Sequence, residues 1–146
     1  NGYSLARKVL FAHHDVREAL PSLDGEVLGE ALLRVHRSYL QPIQNLIGAD
    51  LAHAFAHITG GGLEGNLARV IPEGLQAHVD YDAWPRPALF RLIQEEGGVP
   101  EDDLRRALNL GIGLVAVVPA DRAREAEQVL REGGEAPVHI GQVDNV

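Results

Sequence analysis

Three consecutive glycines, Gly60, Gly61 and Gly62, separate an apolar run from a helical apolar pattern in the stretch AHITGGGLEGNLARVIPEG. Glycine loses the most conformational freedom on folding, so three in a row are unfavourable unless the backbone needs positive φ or another atom must come very close. Two arrangements meet that need: a tight strand-to-helix turn, or a nest of backbone N–H groups around an anion ahead of a helix. Phosphate is the obvious guest for the second. No lysine follows the glycines as in the phosphate loop of nucleotide hydrolases, and the spacing is not that of the dinucleotide fingerprint. Both arrangements stay open on the residues alone.

Around this turn, helical and strand patterns alternate. YSLARKVLFAHH carries Leu5, Val9 and Leu10 at helical spacing after Ser4, which predicts a first helix ending before Pro21. EVLGEALLRV predicts a second, and RSYLQPIQNLIGAD a short strand to Leu40 followed by a helix closed by Gly48. LAHAFAHIT alternates as a strand, GLEGNLARVI reads as a short helix stopped by Pro72, and GLQAHVD alternates again. DAWPRPALFRLIQEEGG leads into a helix with Gly97 as its cap, and PEDDLRRAL opens a helix with acidic residues. IGLVAVVP is a β-branched apolar run, the signature of a strand covered on both faces. DRAREAEQVLREGG is an amphipathic helix and PVHIGQV a closing strand. The predicted class is α+β: a three-layer α/β/α domain with a mixed β-sheet flanked by helices.

At 146 residues the chain has the size of one domain, and 45% apolar with 23% charged residues is ordinary globular composition. Thirteen basic against twenty-one acidic residues, a formal charge of -8, argue against nucleic acid or an anionic membrane as the main partner. Without cysteine there are no disulfides, thiolate metal sites or cysteine nucleophiles. No apolar run approaches the roughly twenty residues that span a bilayer, and no signal-peptide pattern opens the chain, so a cytoplasmic domain is expected. The sequence contains no methionine and begins NGYSL, the expectation for a piece of a longer protein.

HITGGG can set Thr59 and several amides around one anion. His53 and His57, four apart, would present two imidazoles to one metal on a helix, but their alternating context is strand-like and no HExxH glutamate accompanies them. His13 and His14 diverge, so no metal site is expected. Asn109, Gly111 and Gly113 stand at the mouth of the apolar strand, where such glycines mark a close backbone approach or a ligand contact. Glu64 is the acid nearest the glycines and fits the solvated first turn of a helix.

Taken together, NGYSLARKVL, AHITGGGLEGNLARVIPEG and LNLGIGLVAVVP resemble, in order, blocks of phosphoribosylformylglycinamidine cyclo-ligase, also called aminoimidazole ribonucleotide synthetase. DAWPRPALFRLIQEEGGVPEDDLRRAL fills the interval, so the resemblance covers nearly the whole chain and only the C-terminal half of that family. Departures are confined: VHRSYL keeps Arg37 and Tyr39 of a proline-threonine-arginine-isoleucine-tyrosine run but changes Val35, His36 and Ser38. Gln41, Gly65, Ala68 and Leu108 stand where lysine, glutamate, proline and phenylalanine are common.

The resemblance implies a reaction in which ATP phosphorylates the amide oxygen of formylglycinamidine ribonucleotide and an internal nitrogen closes the imidazole ring with loss of phosphate. It implies that residues 1–146 are a single C-terminal substrate-binding domain, and that ATP and Mg2+ are bound mainly by an N-terminal half outside this chain. On that reading the fragment alone is inactive and carries no cofactor. Its partners are the ribonucleotide and its own N-terminal domain, within a homodimer. Substrate contacts are then expected from Asn1, Gly2, Thr59, Gly60, Gly61, Gly62, Asn66, Arg69, Asn109, Gly111 and Gly113, with His57 in a catalytic role. The alternatives are a related ATP-dependent synthetase of the same superfamily, or a non-catalytic domain that binds a ribonucleotide or a partner protein.

Overall fold

Apolar spacing and punctuation account for most of the elements in the computed structural model, which describes residues 2–146. Helix α1 (Tyr3–Leu10) buries Ala6, Val9 and Leu10 on one face and leaves Arg7 and Lys8 outward. It starts at Gly2, whose φ of 81° suits only glycine well. Helix α2 (Leu28–Leu33) buries Leu28, Ala31 and Leu32 by the same spacing. Helix α3 (Leu40–Gly48) carries Pro42 in its first turn, where the missing N–H leaves no hydrogen bond unmade. The strand expected before it does not form, and residues 34–39 run as irregular chain. Their side chains lack the period-two burial that would hold a strand to a sheet.

Strand β1 (Ala54–His57) leads into the glycine turn and helix α4 (Gly62–Leu67), and strand β2 (Leu75–Val79) follows. Helix α5 (Ala88–Gly97) extends to Gly97, and the left-handed cap is Gly98 at φ 53°, one residue later than expected. Helix α6 (Glu101–Ala107) has Glu101, Asp102 and Asp103 in its first turn and Arg105 and Arg106 in its last, the order that complements a helix dipole. Strand β3 (Leu114–Val117), helix α7 (Ala123–Glu132) and strand β4 (Gly141–Asn145) complete the chain. Among the described residues no helix is long and apolar enough to cross a membrane.

The α+β class holds, but the strands form two antiparallel pairs rather than one mixed sheet. β1 pairs with β3, with Ala54 opposite Val117 and His57 opposite Leu114. β2 pairs with β4, with Leu75 opposite Asn145 and Val79 opposite Gly141. With only four or five residues each, these paired strands rely on the helices packed against their faces for stability. The β1–β3 ladder separates two cores. Ala56, Val115 and Val117 face the larger, built on Leu10, Leu20, Leu28, Leu63, Ile93, Leu104 and Leu110. Phe55, Ala116 and Val118 face a smaller one of Leu46, Leu51 and Ala126, under the contact of α3 with α7. Helices thus lie on both faces of this ladder as the IGLVAVVP run requires, although each β3 residue is only half-buried.

Polar contacts fix how the helices meet. His14 Nε2 lies 2.6 Å from Glu96 Oε1, joining the end of α1 to α5, and this hydrogen bond holds the imidazole pKa above its ordinary value. Arg86 donates to Glu101 at 2.6 and 2.9 Å, and Arg105 Nε to the same carboxylate at 2.8 Å. The Arg86 contact, reinforced by Arg105 and Gln94 against the opposing effect of burial, lowers the Glu101 carboxyl to about 2. Since the folded value lies below the unfolded one, this stabilisation is complete above about pH 4.5 and is lost as the pH falls towards about 2. Replacing Glu101 by Gln is expected to flatten the acid limb of the stability curve in that window, measured by urea midpoints against pH.

A second prediction concerns the glycines around α4. A Cβ on Gly62 would lie 1.7 Å from the Arg105 carbonyl oxygen, and its φ is 66°. Gly62→Ala should therefore cost more than about 2 kcal/mol. Gly65, in the same helix, has open space, and Gly65→Ala should stabilise by about 0.5–1 kcal/mol through helix propensity. Chemical denaturation of the two variants checks both signs.

Candidate functional site

The last turn of α6 gathers the sequence-predicted residues. A Cβ on Gly2 would touch Leu108 Cδ2 at 2.1 Å and come within 3.5 Å of the Ala107 carbonyl. One turn back, the Gly61 N–H donates to the Arg106 carbonyl at 3.0 Å, and Gly62 presses against Arg105. Residues 2 and 61–62 therefore share one wall. Continuing from α6, the chain enters β3, where the Ile58 N–H donates to Gly113 O at 2.8 Å. This contact extends the β1–β3 ladder to the edge of the glycine turn and places His57 and Thr59 on either side of it.

Asn66 organises the turn from inside. It is 4% exposed, and its Nδ2 donates to Gly62 O at 2.7 Å, with longer contacts of 3.4 Å to the carbonyls of Thr59 and Gly60. Its Oδ1 accepts from Arg69 Nη1 at 3.2 Å and from Thr59 Oγ1 at 3.4 Å. Gly61 at φ 101° and Gly62 at 66° supply the left-handed backbone. Of the three glycine amides, Gly61 donates to Arg106 and Gly62 to the Thr59 carbonyl, which leaves the Gly60 N–H without an acceptor among the described residues. Arg69 is exposed, and its Nη2 stands 3.9 Å from where a Gly61 Cβ would be. The turn is thus mostly satisfied internally, with one amide and one guanidinium edge turned outward.

Asn109 and Gly111 have a different local role. Asn109 Oδ1 accepts from the Gly111 N–H at 3.0 Å, and a Cβ on Gly111 would meet Pro87 at 2.8 Å. Trp84 Nε1 donates to Leu110 O at 2.9 Å, so this loop is seated on the Trp84–Pro87 segment. Gly113 is needed for the Tyr39 ring, since a Cβ there would lie 1.9 Å from the phenolic oxygen. Asn1 lies outside the described residues.

His53 and His57 point no imidazole pair at a common ion, because four strand residues set them about 13 Å apart. Among the described residues no three His, Asp or Glu groups converge as a metal cage. The neighbours that His57 does have were not legible from the sequence: the His36 ring centroid is 5.3 Å away and that of Tyr39 6.2 Å. His36 stood out only as a departure in VHRSYL, with nothing to join it to a residue twenty-one positions later. A depression of about 600 Å3 lies between α4 and β2, lined by Glu64, Ala68, Ile71, Glu73 and His78 among others. It includes none of Thr59, Gly60–Gly62, Asn66 or Arg69; of these Gly60, Gly61 and Arg69 are exposed, while Gly62 and Asn66 are buried.

Compared with known proteins, the chain matches AIR synthase related protein, C-terminal domain, over residues 1–146. It belongs to that family. A phosphoribosylformylglycinamidine cyclo-ligase of Anaeromyxobacter sp. (strain Fw109-5) is 47% identical over 145 residues, 99% of this chain and 42% of the relative. Proteins of the same name from Anaeromyxobacter dehalogenans (strain 2CP-1) and Lactobacillus delbrueckii subsp. bulgaricus are 43% and 39% identical, over 99% and 98% of the chain and again 42% of each relative. The chain therefore spans less than half the length of these cyclo-ligases.

Within this AIR synthase related domain, Asn66 is the residue on which the turn geometry rests. Truncation in Asn66→Ala removes the buried side chain's hydrogen bonds to the carbonyls of Gly62, Thr59 and Gly60, which should cost about 1–2 kcal/mol. Denaturant midpoints, together with faster hydrogen exchange at the Gly61 amide, check this expectation.

Proposed function

We propose that this domain is the ribonucleotide-binding part of an ATP-dependent purine-biosynthetic ligase that cyclises formylglycinamidine ribonucleotide to aminoimidazole ribonucleotide. The names of the relatives support the reaction. On this chain, the supporting observation is that the Gly60 N–H and Arg69 Nη2 have no partner among the described residues, at the edge of a mostly satisfied glycine turn. An amide and an outward guanidinium are suited to the equatorial oxygens of a phosphate, whether resident on the substrate or in transfer.

In the proposed reaction the amide oxygen receives a phosphoryl group, the internal nitrogen attacks the activated carbon, and the C–O bond breaks with release of phosphate. The nitrogen must lose a proton as the ring closes. Exposed His57, on the strand entering the glycine turn, is a suitable acceptor, and Thr59 offers a hydroxyl beside it. The described residues bring together no three-ligand carboxylate or imidazole cage for Mg2+. We place Mg2+ and ATP outside residues 1–146, in the remainder of a longer cytoplasmic, homodimeric protein, and derive no step through them.

Calorimetry with formylglycinamidine ribonucleotide tests this reading. Binding is expected for the complete protein, weakened about tenfold or more, or about 1.4 kcal/mol, by Arg69→Gln. The thermal midpoint should fall by no more than a few degrees, because Arg69 is exposed and its one contact in the turn is the 3.2 Å bond to Asn66 Oδ1, which also accepts from Thr59. Absence of binding, or full affinity in the Arg69 variant, would overturn the assignment.

A further inference from the structure

We infer that His36 and His57 form a two-imidazole site for a first-row transition-metal dication of the Zn2+, Ni2+ or Cu2+ class. Their Nε2 atoms are 3.4 Å apart and their ring centroids 5.3 Å, with the planes at 87°. Two imidazole nitrogens held about 2.05 Å from a tetrahedral centre are about 3.3 Å apart, and rings directed at that centre have centroids about 5.2 Å apart. Both observed distances match. A direct N–H···N bond is the competing account, but its usual length is about 3.0 Å. An edge-to-face ring contact accounts for the 87° between the planes, but does not by itself require both Nε2 atoms to meet at 3.4 Å.

The two rings are held rather than loosely disposed. His57 is fixed by the ladder opposite Leu114. His36 meets the Tyr39 ring edge-on at 5.8 Å, and that ring closes over Gly113. Both imidazoles face solvent, so an ion can enter, and two imidazoles on a four-coordinate ion leave two positions for water. Neutral nitrogen donors without a carboxylate favour Ni2+, Cu2+ and Zn2+ over Mg2+ and Ca2+. The site owes its first ligand to His36, one of the VHRSYL departures, and stands without the ribonucleotide reading; an ion seated there takes the His57 Nε2 lone pair and so competes with proton acceptance at that atom.

The test is calorimetric titration of the purified, tag-free protein with Ni2+ and with Zn2+. One equivalent is expected to bind to the wild type and to His53→Gln, a control for the exposed histidine just before the same strand. Affinity should fall about tenfold or more in His36→Gln and in His57→Gln, and the double variant should lose no more than either single one. Cu2+ loaded at one equivalent should show electron-spin coupling to two nitrogens. Thermal midpoints of the metal-free variants establish that each is folded. No binding at millimolar Ni2+, equal affinity in His36→Gln, or equal binding of Mg2+ would overturn the inference.

Discussion

Everything near the glycine turn depends on two backbones being allowed to touch. Gly62 lies against the Arg105 carbonyl so closely that one methyl group would overlap it, and the neighbouring Gly61 amide hydrogen-bonds to Arg106. These contacts fasten the start of α4 to the end of α6. The same stretch of α6 receives Gly2 and then runs directly into residues 109–113, so one helix end sets the positions of three separate parts of the sequence. The triple glycine is first a device for close approach, and the polar groups it leaves outward are few because the others hold that approach together.

Much of this was legible in the sequence. Period-two alternation marked β1 and β2, and apolar spacing marked α1, α4, α5 and α7, because each buries one face against a core. Strand pairing was not legible. Two antiparallel pairs and one mixed sheet draw on the same local patterns, and only long-range packing distinguishes them. The strand expected before Leu40 failed for a related reason: RSYL has the composition of a strand but no neighbour to pair with.

At the candidate site, residue types and spacing pointed to the right turn without revealing how its atoms are used. Asn66 appeared as one ligand among several, yet buried it is the internal brace, bonded to the carbonyls of its own loop. Asn109 and Gly111 read on their residues first as packing, with ligand contact as the alternative, and Trp84 and Pro87 account for their geometry. Tyr39 and His36, which border His57, lie in irregular chain, where no periodicity links a residue to its spatial neighbours. Whole-chain membership of the AIR synthase related family gives the turn its biochemical context.

The partition of the interior by the β1–β3 ladder has a dynamic consequence. The cluster of Leu46, Leu51 and Ala126 is far smaller than the core across the ladder, so α3 and α7 can open locally while the main interior stays closed. Such an excursion would bare the Phe55 side of the ladder and disturb the seat of Tyr39, which directly precedes α3. Amide protons of α7 should then exchange with solvent ahead of those in α4, and any guest that pins Tyr39 would slow them from a distance.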